Sequence, residues 1–384
     1  MPKLPLRDWQ REAINRWETA GHRGIVSVVT GGGKTVFALS CIDRLQPDTS
    51  VVIVPTVALL DQWWSEAADF FDLDLDEIHV VRGNGNIRSG TINLVVLNTA
   101  SKLAEGRRVP KCFLIADECH KAASEKYRAS LDLPRIASLG LSATPERQYD
   151  DGLQQILIPA LGPIIFEYSY RDALRDGVIV PFNLRNIVFE LEEERQHEYD
   201  KLTKAIARSI RKYGTEAPET VALYLKRSRV MNLSMERVRL TLRLIAAHRG
   251  RRVLVFHEDI EACNVIHQVL AENRVRAGLY HSKLTMRDRV RMLTAYRRGE
   301  IDVLVTCRAL DEGFNVPETQ IGIVAASTAT RRQRIQRLGR VLRPASGKDG
   351  ALIYTLVATP PEVDRLKQEE ADLEGVASVS WSKA

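Results

Sequence analysis

Short β-branched runs alternate with helix-forming stretches along the chain, and this alternation restricts the fold more than any other feature. "GIVSVVT" (24–30), "VVIV" (51–54), "INLVVL" (92–97), "CFLIA" (112–116) and "SLGLS" (138–142) read as buried strands. Their near-continuous apolar character suits a parallel sheet covered on both faces. "KTVFALSCIDRL" and "ALLDQWWSEAADFF" read as helices between them. The pattern returns with "VLVFH" (253–257), "RAGLY" (276–280), "DVLVT" (302–306), "IGIVAA" (321–326) and "ALIYTL" (351–356). Two α/β lobes in tandem follow, each a mostly parallel sheet with helices on both faces. The 384 residues suit two domains of about 150 residues each with an insert.

The insert has its own character. "EEERQHEYDKLTKAIARSIRKYG" spaces Tyr199, Leu202, Ile206, Ile210 and Tyr213 by three or four, an apolar helical stripe with Gly214 as its C-cap. Residues 221–248 read as one or two further basic helices. The expected partition is residues 1–185 for the first lobe, 186–250 for a basic helical insert packed on the second lobe, and 251–384 for the second lobe. The tail "ASVSWSKA" is expected to fray.

Charge is unevenly placed. The chain carries a net +6, yet Lys201 to Arg252 alone holds 14 Lys/Arg against three acids. Further basic clusters occupy 287–298 and 331–343. Such clustering is the footprint of a polyanion binder, although solvated helix faces produce the same count. No apolar run approaches the roughly 20 residues that span a bilayer, and "MPKLPLRDWQ" has no signal-peptide core. A cytoplasmic protein with no membrane partner is expected. The five cysteines lie far apart with no C-x-x-C pair, so they read as small buried side chains rather than disulfides or zinc ligands.

The chemistry begins at "VVTGGGKTVF" (28–37). The phosphate-loop pattern G-x-x-x-x-G-K-[ST] is met at Gly33-Lys34-Thr35, but Val28 stands at its first glycine. A strand, a glycine turn and a helix from Lys34 still form the required context. Backbone N–H groups from Gly31 to Thr35 then point at a β-phosphate, aided by the helix dipole. Lys34 pairs with the β- and γ-phosphates, and Thr35 ligates magnesium. "FLIADECH" ends a strand with two adjacent carboxylates. Asp117 suits a magnesium water shell, and Glu118 suits the attacking water. The combination points to an ATP-hydrolysing enzyme using ATP and Mg2+.

GGGKT, DECH, "LSATP" (141–145) and "QRLGRVLR" (336–343) occur in that order. This set resembles the superfamily-two helicases and translocases of the DEAD/DEAH-related kind, over about residues 4–357. "LRDWQREAI", "SYRDALRDGVIVPF" and "DEGFNVPE" look closest to the XPB-like, RadD-like and restriction-motor helicases. The resemblance implies two RecA-like P-loop lobes with ATP in the cleft between them, and it explains Val28. The unit is Thr30-Gly31-Gly32-Gly33-Lys34-Thr35, similar to a T-G-x-G-K-T form that lacks the distant glycine.

The same resemblance assigns further roles. Gln10 reads adenine, with Arg7 nearby. Gln336, Arg340 and Arg343 fit Q-x-x-G-R-x-x-R, the two arginines acting as fingers on the γ-phosphate. His120, Ser142 and Thr144 couple the nucleotide state to nucleic acid. Pro55, Thr56, Thr99, His257, His281, Ser282 and Thr306 fall in loops similar to nucleic-acid-contacting motifs. Gly313 approaches the nucleotide, while Asn315 replaces the acid frequent there and leaves a ribose contact open. Cys119 fills a variable place, so DECH does not sort the chain into a subgroup.

The expected function is an ATP-dependent DNA helicase or translocase in repair, recombination or defence, acting on single-stranded or duplex DNA with little sequence specificity. A duplex translocase that does not separate strands, and an RNA helicase, are the alternatives. The motor motifs and insert occupy nearly the whole sequence, which suggests a lean subunit recruited by a protein partner. In a prokaryote it is expected on the nucleoid.

Overall fold

The computed structural model describes residues 5–83, 85–103, 111–143, 145, 151–215, 217–307, 316, 318–326, 341–345, 347–370, 373 and 375–384. Thr144, Gly313, Asn315, Gln336 and Arg340 lie outside the described residues. The chain divides into two compact units, Met1–Ala173 and Leu174–Ala384.

The first unit opens with helix α1 (Asp8–Thr19), strand β1 (Arg23–Val28) and helix α2 (Lys34–Leu45). Then come β2 (Ser50–Val54), α3 (Val57–Phe71), β3 (His79–Val81), β4 (Ile92–Val96) and α4 (Leu97–Leu103). It closes with β5 (Cys112–Asp117), β6 (Arg135–Ser142), α5 (Ile158–Leu161) and β7 (Ile164–Tyr168). Its sheet runs β3-β4-β2-β5-β6-β1-β7, and every pairing is parallel. All five residues of β2 are buried, as a central strand covered on both faces requires. The Thr56 hydroxyl caps α3 by accepting the Leu59 N–H.

Helix α6 (Tyr170–Arg175) carries the chain across the division. The second unit then contains β8 (Phe182–Val188), α7 (Glu193–Tyr213), α8 (Pro218–Asn232) and α9 (Met235–Ala247). Next are β9 (Val253–His257), α10 (Ile260–Glu272), β10 (Ala277–Tyr280), α11 (Met286–Arg298) and β11 (Val303–Cys307). The last elements are β12 (Ile321–Val324), β13 (Ala351–Val357), α12 (Pro360–Glu370) and β14 (Ala377–Lys383). This second parallel sheet runs β10-β11-β9-β12-β13-β8-β14. Tyr199, Val230 and Val238 from the helices share one core with Val255, Val305 and Ile323 from the strands. Within the expected stripe of α7, Tyr199 and Ile206 are buried, whereas Tyr213 at its end is 50% exposed.

Two expectations are corrected. The division falls after Ala173, not after residue 185, because β8 pairs with β13 and β14 in the second sheet. The tail does not fray, since Ala377–Lys383 form a parallel edge strand in register with β8. β8 buries alternate residues and the edge strand β14 alternates half-buried with exposed ones, so neither shows a continuous apolar run.

A buried ion pair ties α9 to the strand ends of this unit. Arg237 is fully buried and donates to the Ala325 and Leu356 carbonyls at 2.8 Å each and to Met231 at 3.0 Å. It also meets Glu362 Oε1 at 2.7 Å. Glu362 Oε2 accepts the N–H groups of Ala358 and Thr359. Burial alone pushes this carboxyl up, but Arg237 and the two N–H groups hold it below its ordinary range. Its stabilisation is therefore complete above the unfolded carboxylate value of about 4 and is lost as pH falls through the lower folded value. Arg237→Leu, which strands Glu362, is expected to cost about 3–5 kcal/mol in chemical denaturation at neutral pH. Adding Glu362→Leu should recover part of that loss, and a loss under 1 kcal/mol (about the value of an exposed pair) would show the pair to be dispensable.

Candidate nucleotide-binding site

In a parallel sheet with helical crossovers, ligands collect beyond the carboxyl ends of the strands. The register puts three such ends side by side in the first unit. Ser27 of β1 lies opposite Ser142 of β6, and Leu141 of β6 lies opposite Asp117 of β5. The glycine turn, the DECH box and the serine of LSATP therefore share one edge.

The turn after β1 has the shape of a phosphate cradle. Gly31 and Gly33 take φ of 88° and 98°, the left-handed region open to glycine. A Cβ on Gly32 would stand 2.4 Å from Val28 Cγ1. Helix α2 starts at Lys34 with no side-chain cap, which leaves its first N–H groups to an anion. The Thr30 hydroxyl is buried without a hydrogen-bond partner, an orphan that a phosphate oxygen would satisfy.

Helix α1 braces this turn. Gln10 Nε2 donates to the Gly33 carbonyl at 3.0 Å, and its Oε1 accepts the Arg7 N–H at 2.8 Å. The Arg7 guanidinium donates to the Gly32 carbonyl at 3.2 Å. Trp9 packs against Phe37, Phe166 and Tyr168, locking α1 to α2 and β7. Gln10, expected to read adenine, is 3% exposed, and both ends of its amide are engaged with the turn and its own helix.

Lys34 Nζ meets Glu118 Oε1 at 3.1 Å, with both side chains largely buried. Glu118 itself sits at φ 47°, ψ 47°, a sparsely populated conformation for a residue with a side chain. His120 Nδ1 lies 3.0 Å from Ser142 Oγ and 3.4 Å from Glu118 Oε2, so His120 meets the carboxylate and Ser142 reaches it through His120.

The site contains one residue that the sequence did not single out. Trp63 of α3, fully buried, donates its indole N–H to Asp117 Oδ2 at 2.8 Å. The Glu118 N–H occupies Oδ1 at 2.8 Å. Two donors thus fix the plane of the carboxylate. Burial and then the Glu118 charge push its pKa up to about 6, against Lys34, Trp63 and the Glu118 N–H, which lower it. "DQWW" gave no means of telling Trp63 from Trp64, which instead bonds the Leu75 carbonyl.

The expected nucleic-acid residues divide into two groups. Pro55 and Thr56 follow β2, Thr99 lies in α4, and Ser282 is an exposed residue after β10; all are at least partly accessible. His257, His281 and Thr306, expected in loops that contact nucleic acid, are 0%, 5% and 1% exposed. Thr306 spends its hydroxyl on the Val255 carbonyl, and His257 Nδ1 accepts the Asp259 N–H. Thr306 and His257 thus bond within the strand ends of the second unit. Of the expected fingers only Arg343 is described; its carbonyl and that of Val341 accept from the Lys348 ammonium, whose pKa burial pulls down to about 8.

A glycine cradle, a lysine and a strand-end acid pair on parallel sheets of this order define a P-loop ATPase built from tandem RecA-like units. Residues 3–147 match the family model of the type III restriction enzyme res subunit, and residues 236–345 match the helicase conserved C-terminal domain. The chain is thus similar to restriction-enzyme and helicase motor domains in its first and its second part. It is 29% identical to the DNA 3'-5' translocase XPB2 of Sulfurisphaera tokodaii, over 89% of this chain and 79% of that protein. It is 27% identical to the DNA 3'-5' helicase XPB of Kineococcus radiotolerans, over 92% of this chain but 60% of that protein. Among solved structures, the type ISP restriction-modification enzyme LlaBIII bound to DNA aligns with a TM-score of 0.65 and 15% identity, covering 99% of this chain and 31% of that one. The Hef helicase domain of Pyrococcus furiosus aligns at 0.59 and 16%, covering 95% and 98%. At these identities the structures show the shared fold.

The Asp117 pKa sets a test of the metal role. A proton and a divalent ion compete for the same carboxylate, so Mn2+ binding in the presence of ADP, followed by electron paramagnetic resonance, should weaken about tenfold from pH 7 to pH 5. Trp63→Phe removes a donor that favours the ionised form and should raise the midpoint by about one unit. An unchanged midpoint in the variant would assign the indole to packing alone.

Proposed function

We propose that the chain is an ATP-driven DNA translocase or helicase of repair, recombination or defence, whose turnover is stimulated by DNA. The observation that carries this reading is the Lys34–Glu118 contact at the edge where the cradle and DECH box meet. The names of the XPB-type relatives direct the reading to DNA.

Lys34 leaves Glu118 to bind the β- and γ-phosphates as the backbone N–H groups of Gly31 to Thr35 close on them. Released from the ammonium, Glu118 accepts a proton from the attacking water. Thr35 and Asp117 would hold the metal, and their hard oxygens suit magnesium. When bound, Mg2+ neutralises phosphate charge. Arg340 and Arg343 supply positive charge to the transferring phosphoryl group, and Gln336 supplies a neutral hydrogen bond beside them. His120 and Ser142 carry the state of Glu118 to the end of β6, and Thr144 follows them. Backbone contacts from Pro55, Thr56, Thr99 and Ser282 give little sequence preference and a steep salt dependence. On the insert, Lys226 and Arg229 are exposed, whereas Arg227 lies between Tyr199 and Tyr224 and bonds Thr203. Of these three, Lys226 and Arg229 face a DNA path and Arg227 holds the helices together.

Glu118→Gln should lower kcat by about 10²–10⁴. It should also bind ATP at least as tightly as wild type, because the neutral amide holds Lys34 less firmly. Equal turnover would turn the protein into a nucleotide-dependent binding switch. Lys34→Ala should abolish hydrolysis and spare DNA affinity. ATPase and strand-displacement assays on blunt, tailed and forked DNA and on RNA decide the class. Stimulation by blunt duplex without unwinding would establish the translocase, and preference for RNA would replace DNA as the substrate.

A further inference from the structure

The second unit has a cleft at the opposite end of its sheet from the strand ends that carry His257 and Thr306. It is a cavity of about 800 Å3 beside the starts of β9, β10 and β11 and the C-terminal turns of α9 and α10. Arg243, Arg249, Arg251, Arg274 and Arg276 surround it. Arg276 is paired with Asp302 at 2.7 Å. The other four make no ion pair among the described residues. Between the guanidinium groups the floor is apolar, with Leu242, Val269 and Val275 half-buried or exposed to the cavity.

The first unit carries a surface of opposite character. From Arg44 to Arg82 the chain has no intervening lysine or arginine and eight acids. Asp69, Asp72, Asp74, Asp76 and Glu77 are all exposed around the end of α3 and the 3-10 turn Leu75–Glu77. Leu75 projects at their centre, 49% exposed. The turn is held, not loose: Trp64 Nε1 bonds the Leu75 carbonyl at 2.9 Å, and Glu77 Oε2 accepts the Asp74 N–H at 2.8 Å. An apolar side chain in a ring of carboxylates is the complement of an apolar floor in a ring of guanidinium groups.

We propose that the arginine-rimmed cleft of one molecule takes the Asp69–Glu77 ridge of a second copy. Carboxylates meet guanidinium forks, and Leu75 covers the apolar floor. Nucleic acid satisfies the same arginines less well, because a phosphodiester leaves that floor wet. Cleft and ridge are different patches, so the contact is heterologous. Each added copy leaves one ridge and one cleft free, and copies join head to tail. The proposal does not rest on the ATPase reading, because neither patch includes a residue of the nucleotide site.

Sedimentation velocity of the full chain, without nucleotide or DNA, tests it. At low salt the average mass should rise with concentration, and at high salt it should return to the monomer. Arg249→Ser with Arg251→Ser removes the cleft, and Asp69→Ser with Asp76→Ser removes the ridge. Each double variant should stay monomeric while melting like wild type. An equimolar mixture of the two is the decisive sample, because one supplies an intact ridge and the other an intact cleft. It should reach twice the monomer mass and stop there. The proposal is overturned by a wild type monomeric at every concentration, by association that survives either variant, or by a mixture that remains monomeric. Loss of duplex-DNA affinity in the cleft variant of a monomeric wild type would assign the arginines to DNA and also overturn it.

Discussion

The carboxylate of Asp117 is the group around which the first unit is organised. A charge at the end of a buried strand is costly unless donors surround it. Here two donors and one charge surround it: the indole of Trp63 on α3 and the N–H of Glu118 beyond the strand donate to it, and the ammonium of Lys34 at the start of α2 acts through its charge. Each requirement fixes a further piece of backbone. Lys34 can arrive only if the turn after β1 is tight, which needs Gly31 and Gly33 in the left-handed region. Trp63 can arrive only if α3 is aligned, and the Thr56 cap sets where that helix begins. The remaining imbalance raises the pKa to about 6, so the site is incompletely neutralised and suited to a cation.

The second unit solves the same problem differently. Arg237 and Glu362 are as deeply buried as Asp117, but every direction around them is filled by a carbonyl, an N–H or the partner charge. Glu362 is consequently held below its ordinary range while Asp117 is held above it. Both are buried carboxylates, Asp117 at the end of β5 and Glu362 in the first turn of α12; the difference is whether the protein itself completes the shell. Completion marks a structural pair, and a shortfall marks a site open to a ligand.

This difference also explains how far the sequence could be read. GGGKT and DECH were legible because their chemistry imposes backbone demands: glycines where φ is positive, and acids at the end of an apolar strand. The central strands were legible because burial on both faces leaves continuous β-branched runs. The edge strand β14 and its neighbour β8 were not, since β8 buries only alternate residues, β14 buries none fully, and "FNLRNIV" and "ASVSWSK" read as ordinary polar chain. Trp63 was hidden because its role depends on which strand end faces α3, a fact of topology rather than composition. His257, His281 and Thr306 show the converse: position in a motif places a residue near a strand end but does not say how far its side chain is buried.

Charge placement follows the same division between motif and topology. The excess of arginine from Lys201 to Arg252 looks like one polyanion-binding segment in the sequence. Folding distributes it among unlike tasks. Arg237 becomes a buried structural ion, Arg252 stacks 4.3 Å from the Tyr296 ring, and Arg227 lies between two tyrosines. Lys226 and Arg229 remain on the helical surface, while Arg243, Arg249 and Arg251 gather with two arginines from after α10 around an apolar floor. A guanidinium is planar and weakly hydrated, so it tolerates all these surroundings where an ammonium would not. Net charge alone therefore overstates how much of this segment can meet a nucleic-acid backbone; the share that can is set by which arginines the fold leaves without an internal partner.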